Sequence, residues 1–106
     1  NLKQERFIIV ILDNKHRILS ETTVTVGLLN LSLVHPREVF AEAIEQRAAA
    51  IICIHNHPSG DSSPSEEDKR ITRRLQESGE LLGIPLLDHI IISKEDFTSF
   101  ADEGWL

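Results

Sequence analysis

Ala48-Ala49-Ala50-Ile51-Ile52-Cys53-Ile54 is apolar without a break, and it runs directly into His55-Asn56-His57-Pro58. Apolar residues on both alternations are expected of a central strand covered on two faces. The next stretch, His55–Pro64, carries prolines, a glycine and serines and reads as a loop. Ser65 then opens a helix whose apolar stripe is Ile71, Leu75 and Leu82, with Gly83 as its C-terminal stop. A buried strand feeding a helix through a polar loop is the centre around which the other elements are placed.

Toward the N-terminus, His35-Pro36 opens another helix, because proline suits the first helical position, where its missing N–H is not needed. Val39, Phe40, Ala43, Ile44 and Arg47 fall on one face of it. Upstream, Arg6–Leu12 and Arg17–Gly27 read as two strands around the turn residues Asp13-Asn14-Lys15, an antiparallel hairpin. The connection Gly27–Leu33 has no assigned conformation. Leu86–Ile92 reads as a fourth strand, and Phe97–Leu106 as short irregular elements. The order β-β-α-β-α-β predicts an α/β (α+β) domain, a single mixed sheet flanked by helices.

The chain has 106 residues, 41% of them hydrophobic and 26% charged, which fits one globular domain. The longest apolar runs, Phe7–Leu12 and Ala48–Ile54, are too short to cross a bilayer, and nothing resembles a signal peptide. A single cysteine, Cys53, precludes an intrachain disulfide and a Cys-rich zinc site, and fits a reducing, cytoplasmic setting. The absence of methionine makes a fragment of a longer chain the expectation. A net charge of −6 argues against a phosphate-gripping surface. Lys69, Arg70, Arg73 and Arg74 form one basic helical face, read as solvated surface; direct DNA binding is not expected.

Chemistry concentrates at His55, His57 and Asp68. Positions i and i+2 at a strand end project from one face, so the two imidazoles can point at one ion. Asp68, in the first turn of the next helix, folds back over the strand end. Two nitrogens and a carboxylate oxygen suit zinc, and three protein ligands leave the open fourth position that marks a catalytic site. A chance pair of surface histidines is the plain alternative. Ser65-x-x-Asp68 also has a structural reading, a helix-capping box with an acid complementing the helix dipole, and the two readings are compatible. Cys53 shares the strand face of His55 but reads as a small buried residue. His16, His35 and His89 lack partners at ligand spacing and read as turn, helix-start and strand residues.

Other histidine motifs do not fit. HNH nucleases disperse their three residues through a ββα unit, a nucleoside deaminase needs a Pro-Cys-x-x-Cys, and no HExxH helix is present. A TIM-barrel amidohydrolase needs more than twice this length. Instead His55-x-His57, seven residues and then Ser65-x-x-Asp68 resembles the JAMM motif of the JAB/MPN family. Within it, His-Asn-His-Pro-Ser-Gly-Asp at 55–61, Val34-His35-Pro36-Arg37-Glu38-Val39-Phe40, Ala48-Ala49-Ala50-Ile51-Ile52 and Leu86-Leu87-Asp88-His89 resemble the RadC branch. The resemblance extends over essentially the whole chain, 1–106. It implies a JAB/MPN-like (cytidine-deaminase-like) sandwich and a longer parent protein with an N-terminal helix-hairpin-helix region.

The resemblance also implies one zinc per chain held by His55, His57 and Asp68, a glutamate that takes a proton from water, and Ser65 as an oxyanion donor. Candidates for the glutamate are Glu5, Glu21 and Glu38. Glu5 is favoured because it immediately precedes the first strand of the core. Eukaryotic members hydrolyse isopeptide bonds to ubiquitin-like proteins, so a peptide or protein substrate and a zinc-dependent peptidase or isopeptidase activity are expected. The family is traditionally labelled as DNA repair. The alternative is a non-catalytic, metal-binding JAB/MPN module that recruits partners in a repair or replication assembly. No membrane partner is expected, and the oligomeric state is left open.

Overall fold

The protein is described here by a computed structural model covering residues 4–27, 31 and 34–106, so the connection expected over 27–33 lies largely outside the described residues. The elements are β1 (Glu5–Leu12), β2 (Ile18–Gly27), α1 (Pro36–Glu45), β3 (Ala50–Asn56), α2 (Glu66–Leu82), β4 (Leu86–Ile92) and β5 (Phe97–Ser99). They form one mixed five-stranded sheet in the order β2-β1-β3-β4-β5 with two helices. The expected fold class is what the chain adopts, with β5 emerging from a region read as irregular.

The β1–β2 hairpin closes through Asp13, whose carboxylate accepts the N–H groups of Lys15 and Arg17 at 2.8 and 2.9 Å. His16 occupies the left-handed region there, φ 60, in keeping with its reading as a turn residue. β1 pairs antiparallel with β3, placing Phe7 opposite His55. β3 and β4 are parallel, and a parallel pair needs a crossover, which α2 supplies.

Strand alternation separates two apolar sets. Phe7, Ile9 and Ile11 of β1 and Ile51 and Cys53 of β3 pack with Val39, Phe40 and Ala43 of α1 and Ile71 and Leu75 of α2. On the opposite face Val10, Leu12 and Ala50 are buried, with Ile52, Ile54 and Leu87 half-buried against them. The two-sided cover expected for β3 is therefore incomplete: among the described residues no helical side chain belongs to this second set.

Three stripe assignments are corrected. Ile44 is 53% exposed, and Arg47 lies beyond the end of α1 at φ 56. Leu82 is 48% exposed, its expected place on the stripe taken by Gly79, which is buried. β3 also runs through His55 to Asn56, further than the apolar run, because its ladder with β1 and β4 continues past the change in composition.

Candidate metal centre

β3 delivers His55 into the interior, 3% exposed, on the same face as Ile51 and Cys53. The chain stays beside the sheet for two more residues, because His57 N–H donates to the Ile92 carbonyl at 2.7 Å. The His55 and His57 rings thus lie edge to face, centroids 4.7 Å apart. Between them Asn56 turns the other way, toward the start of β1. Its amide donates to the Gln4 carbonyl at 2.8 Å and its carbonyl oxygen accepts the Arg6 N–H at 2.6 Å. Those two bonds flank Glu5 and hold it over the end of β3, with Oε2 3.4 Å from His55 Nε2.

Asp68 arrives from the first turn of α2. The capping box is real: Ser65 Oγ accepts the Asp68 N–H at 3.0 Å, and Asp68 Oδ2 accepts the Ser65 N–H at 2.7 Å. The same carboxylate is fully buried and meets both histidines. Its Oδ1 lies 3.0 Å from His55 Nδ1 and its Oδ2 lies 3.3 Å from His57 Nε2. Burial is the largest influence on its ionisation and opposes it, but the hydrogen bonds from His55 and the Ser65 N–H outweigh that and hold its pKa at about 2.

Of the three candidate glutamates, the fold brings only Glu5 to this cluster. Glu21 pairs with Val10 and so belongs to the opposite face of the sheet. Glu38 is exposed in the first turn of α1, 4.0 Å from Arg37. Cys53 is buried, and burial pushes its thiol pKa well above the ordinary value.

His89 corrects the reading of an isolated strand residue. The parallel register sets it opposite Cys53, and its ring stacks on Phe100 at 4.8 Å and lies 6.2 Å from His55. It is 1% exposed, and burial, the main cause, lowers its pKa to about 4. His55, Asp68 and His89 form a group whose ligand atoms all lie within 4.8 Å of one another and that could hold a metal ion. Motif spacing does not reveal His89, because its approach depends on which strand pairs with β3. The traces in the sequence are the Asp88-His89 pair inside a strand of Leu and Ile and the resemblance of Leu86-Leu87-Asp88-His89 to the RadC branch.

Proton counting tests whether a cation fits. His57 Nδ1 sits 2.9 Å from the Asp61 carbonyl, which can only accept, so the ring proton is at Nδ1. In a neutral ring Nε2 then presents a lone pair to a carboxylate oxygen. His55 faces a carboxylate oxygen from each ring nitrogen, with a single proton when neutral. With both rings neutral, acceptor faces acceptor, a conflict that either a second ring proton or a bound cation resolves. The 3.3 Å separation of His57 Nε2 and Asp68 Oδ2 also matches a tetrahedral edge, which is about 3.3 Å for zinc bonds of about 2.0–2.1 Å. The donor set fits.

A mixed α+β sheet carrying a buried His/Asp cluster able to hold a metal is the arrangement of a JAB-type domain. The comparison with known families agrees: the chain belongs to the RadC-like JAB domain family, whose model matches residues 1–105. It is 55% identical over 105 residues to a UPF0758 protein of Bacillus licheniformis, covering 99% of this chain and 47% of that protein. It is 56% identical over 103 residues to a UPF0758 protein of Methanospirillum hungatei, covering 97% of this chain and 46% of the relative. The chain thus spans about half the length of the curated relatives it matches.

Proposed function

We propose that this domain is a zinc-dependent hydrolase of amide bonds, peptidase or isopeptidase in type, with His55, His57 and Asp68 holding the ion. The observation that carries the reading is His57 Nε2 set 3.3 Å from Asp68 Oδ2, while Nδ1 lies 2.9 Å from the Asp61 carbonyl. A ring nitrogen freed for an ion while its partner donates to a carbonyl is the usual state of a metal-ligating histidine. His57 is preferred to His89 as the third ligand because it is partly solvent-exposed, whereas His89 is enclosed behind the cluster. A catalytic centre needs one side open to water and substrate.

Held by His55, His57 and Asp68, a zinc ion would supply Lewis acidity to a water and to the carbonyl under attack. Glu5 is the general base: clamped by Asn56 yet 37% exposed, its carboxylate takes a proton from water and returns it to the departing amine. Ser65 supplies an oxyanion donor. Its oxygen accepts the Asp68 N–H, which leaves its own proton free to point toward substrate.

The test joins elemental analysis of the dialysed protein to a peptide and isopeptide cleavage screen. One zinc per chain is expected, lost from the His55→Ala, His57→Ala double variant. Glu5→Gln keeps the zinc and drops turnover by about 10²–10⁴-fold. Full zinc occupancy in the double variant sinks the ligand assignment. A zinc-loaded protein with no hydrolysis of any amide favours the non-catalytic module.

A further inference from the structure

We infer that His89 is a positioning residue of the metal centre, acting through Thr72 on the main chain of Asp68. The inference rests on the metal-centre reading above.

Thr72 Oγ1 lies 2.6 Å from the Asp68 carbonyl oxygen and 2.6 Å from His89 Nδ1, all three residues being buried. A hydroxyl has one proton, and the carbonyl can only accept, so Thr72 gives its proton to Asp68. The contact to His89 then requires the ring to donate, which places the His89 proton on Nδ1. A directed chain results, from His89 Nδ1–H to Thr72 Oγ1–H to the Asp68 carbonyl. Each bond is short, and each lies away from competing water.

The ring itself is fixed from three sides. Phe100 stacks on it at 4.8 Å with an interplanar angle of 16°, Phe7 meets it at 5.8 Å, and His55 lies at 6.2 Å. Phe100 is held in place by its N–H, which donates to the His89 carbonyl at 3.0 Å. Asp88, beside His89, fastens the following segment through the Ser99 hydroxyl and the Ala101 N–H at 2.6 and 2.9 Å. His89 therefore ties β4 to the first turn of α2 while lying against the ring that β3 supplies. Two ligands from two separate elements, His55 and Asp68, are set at one spacing by a residue that need not touch the ion. His89 Nε2 has no hydrogen-bond partner among the described residues, so direct ligation is the competing role that the test must separate.

Asparagine places an amide N–H where Nδ1–H stands, phenylalanine keeps the ring without the donor, and Thr72→Val removes the link. Zinc affinity is measured on the full chain by chelator competition, and cobalt substitution reports the ligand field. His89→Phe and Thr72→Val should each weaken zinc by about 10–100-fold, the usual effect of losing an outer partner. The double variant should be no weaker than the poorer single one, and His89→Asn and Thr72→Ser should recover most of the loss. Visible cobalt bands should shift slightly without a change of coordination number.

Independent, multiplicative losses overturn the chain, as do unchanged affinities in both single variants. Equal loss in the Asn and Phe variants, with a changed cobalt coordination number, makes His89 a ligand instead. Ring nitrogen NMR of the metal-free protein tests the chain separately: the His89 proton must reside on Nδ1, and finding it on Nε2 overturns the proposal whatever the metal does. If the unmodified protein takes up no zinc, the metal-centre reading fails and takes the positioning role with it, while the tautomer measurement reports separately on the chain from His89 through Thr72 to Asp68.

Discussion

Asp68 carries two duties that a sequence reading separates only as alternatives. As a capping-box residue it closes the start of α2 through two bonds with Ser65, and as a carboxylate it faces both histidines of the motif. The duties overlap on Oδ2, which takes the Ser65 N–H and faces His57, while Oδ1 is left to His55. Mutation can part them. Ser65→Ala removes a cap and should cost roughly 1 kcal/mol in urea unfolding while zinc stays bound. Asp68→Asn keeps one oxygen for the cap but loses the charge, so zinc affinity should fall by orders of magnitude while stability falls far less. Equal zinc loss in both variants would mean that the helix start, not ligation, sets affinity. Most of the cluster was legible at this scale. His55, His57, Ser65 and Asp68 are near one another in the chain, and strand alternation and helix phase are local rules. Glu5 required knowing that β1 is the antiparallel neighbour of β3. His89 required the parallel pairing of β3 with β4, which no local rule encodes.

The helices show how a stripe read from periodicity meets the end of an element. Ile71 and Leu75 lie on the buried face of α2 as their spacing predicts, but the next inward position is Gly79, and Leu82 is left half exposed. The reason is close approach. A Cβ on Gly79 would stand 2.5 Å from the Ile84 carbonyl oxygen and 3.3 Å from Phe40 Cζ, where the chain leaving Gly83 doubles back under the helix. Gly83 makes that reversal in the left-handed region at φ 73, and the Ile84 N–H donates to the Gly79 carbonyl at 2.9 Å. Alanine ordinarily strengthens a helix interior by up to about 1 kcal/mol over glycine. Gly79→Ala should do the reverse and destabilise by about 1–3 kcal/mol, because backbone on the far side cannot give way as a side-chain tip can. Glu80→Ala, at an exposed neighbouring position, should be nearly neutral in the same thermal melts. A more stable Gly79→Ala protein would refute the close packing. The stop at Gly83 was legible because glycine after a helix has a local cause. The inward glycine was not, because an apolar stripe says nothing about a position that is buried by being small.

At the scale of the whole molecule, the sheet sets a group that resists protonation beside one that resists neutralisation, and the metal-free protein should therefore lose stability to acid over two successive pH windows. His89 titrates at about 4 against an ordinary 6.5, chiefly through burial; the charges of Asp68 and Asp88 pull the other way, and those of His55 and His57 add to the lowering. Asp68 titrates at about 2 against an ordinary 3.8, because the hydrogen bonds from His55 and the Ser65 N–H exceed the opposing effect of burial. Between pH 6.5 and 4 the unfolded chain binds a proton at His89 that the folded one refuses, so stability falls as pH falls. From pH 3.8 down through 2 the unfolded chain protonates Asp68 first, and the stability that its ionised form supplies is lost in turn. At about 1.4 kcal/mol per pKa unit, the first stage amounts to something on the order of 3 kcal/mol and the second to about 2. Against a total of about 5–15 kcal/mol for a typical domain, the first stage alone is a large share. Urea midpoints taken with chelator present from pH 3 to 8 measure it, and His89→Asn is the informative comparison because asparagine retains the donor to Thr72 but cannot titrate. The variant should show a flatter profile between pH 6.5 and 4 and an unchanged fall below 3.8. Parallel profiles across the upper window would move its cause away from His89 while leaving the Asp68 stage intact.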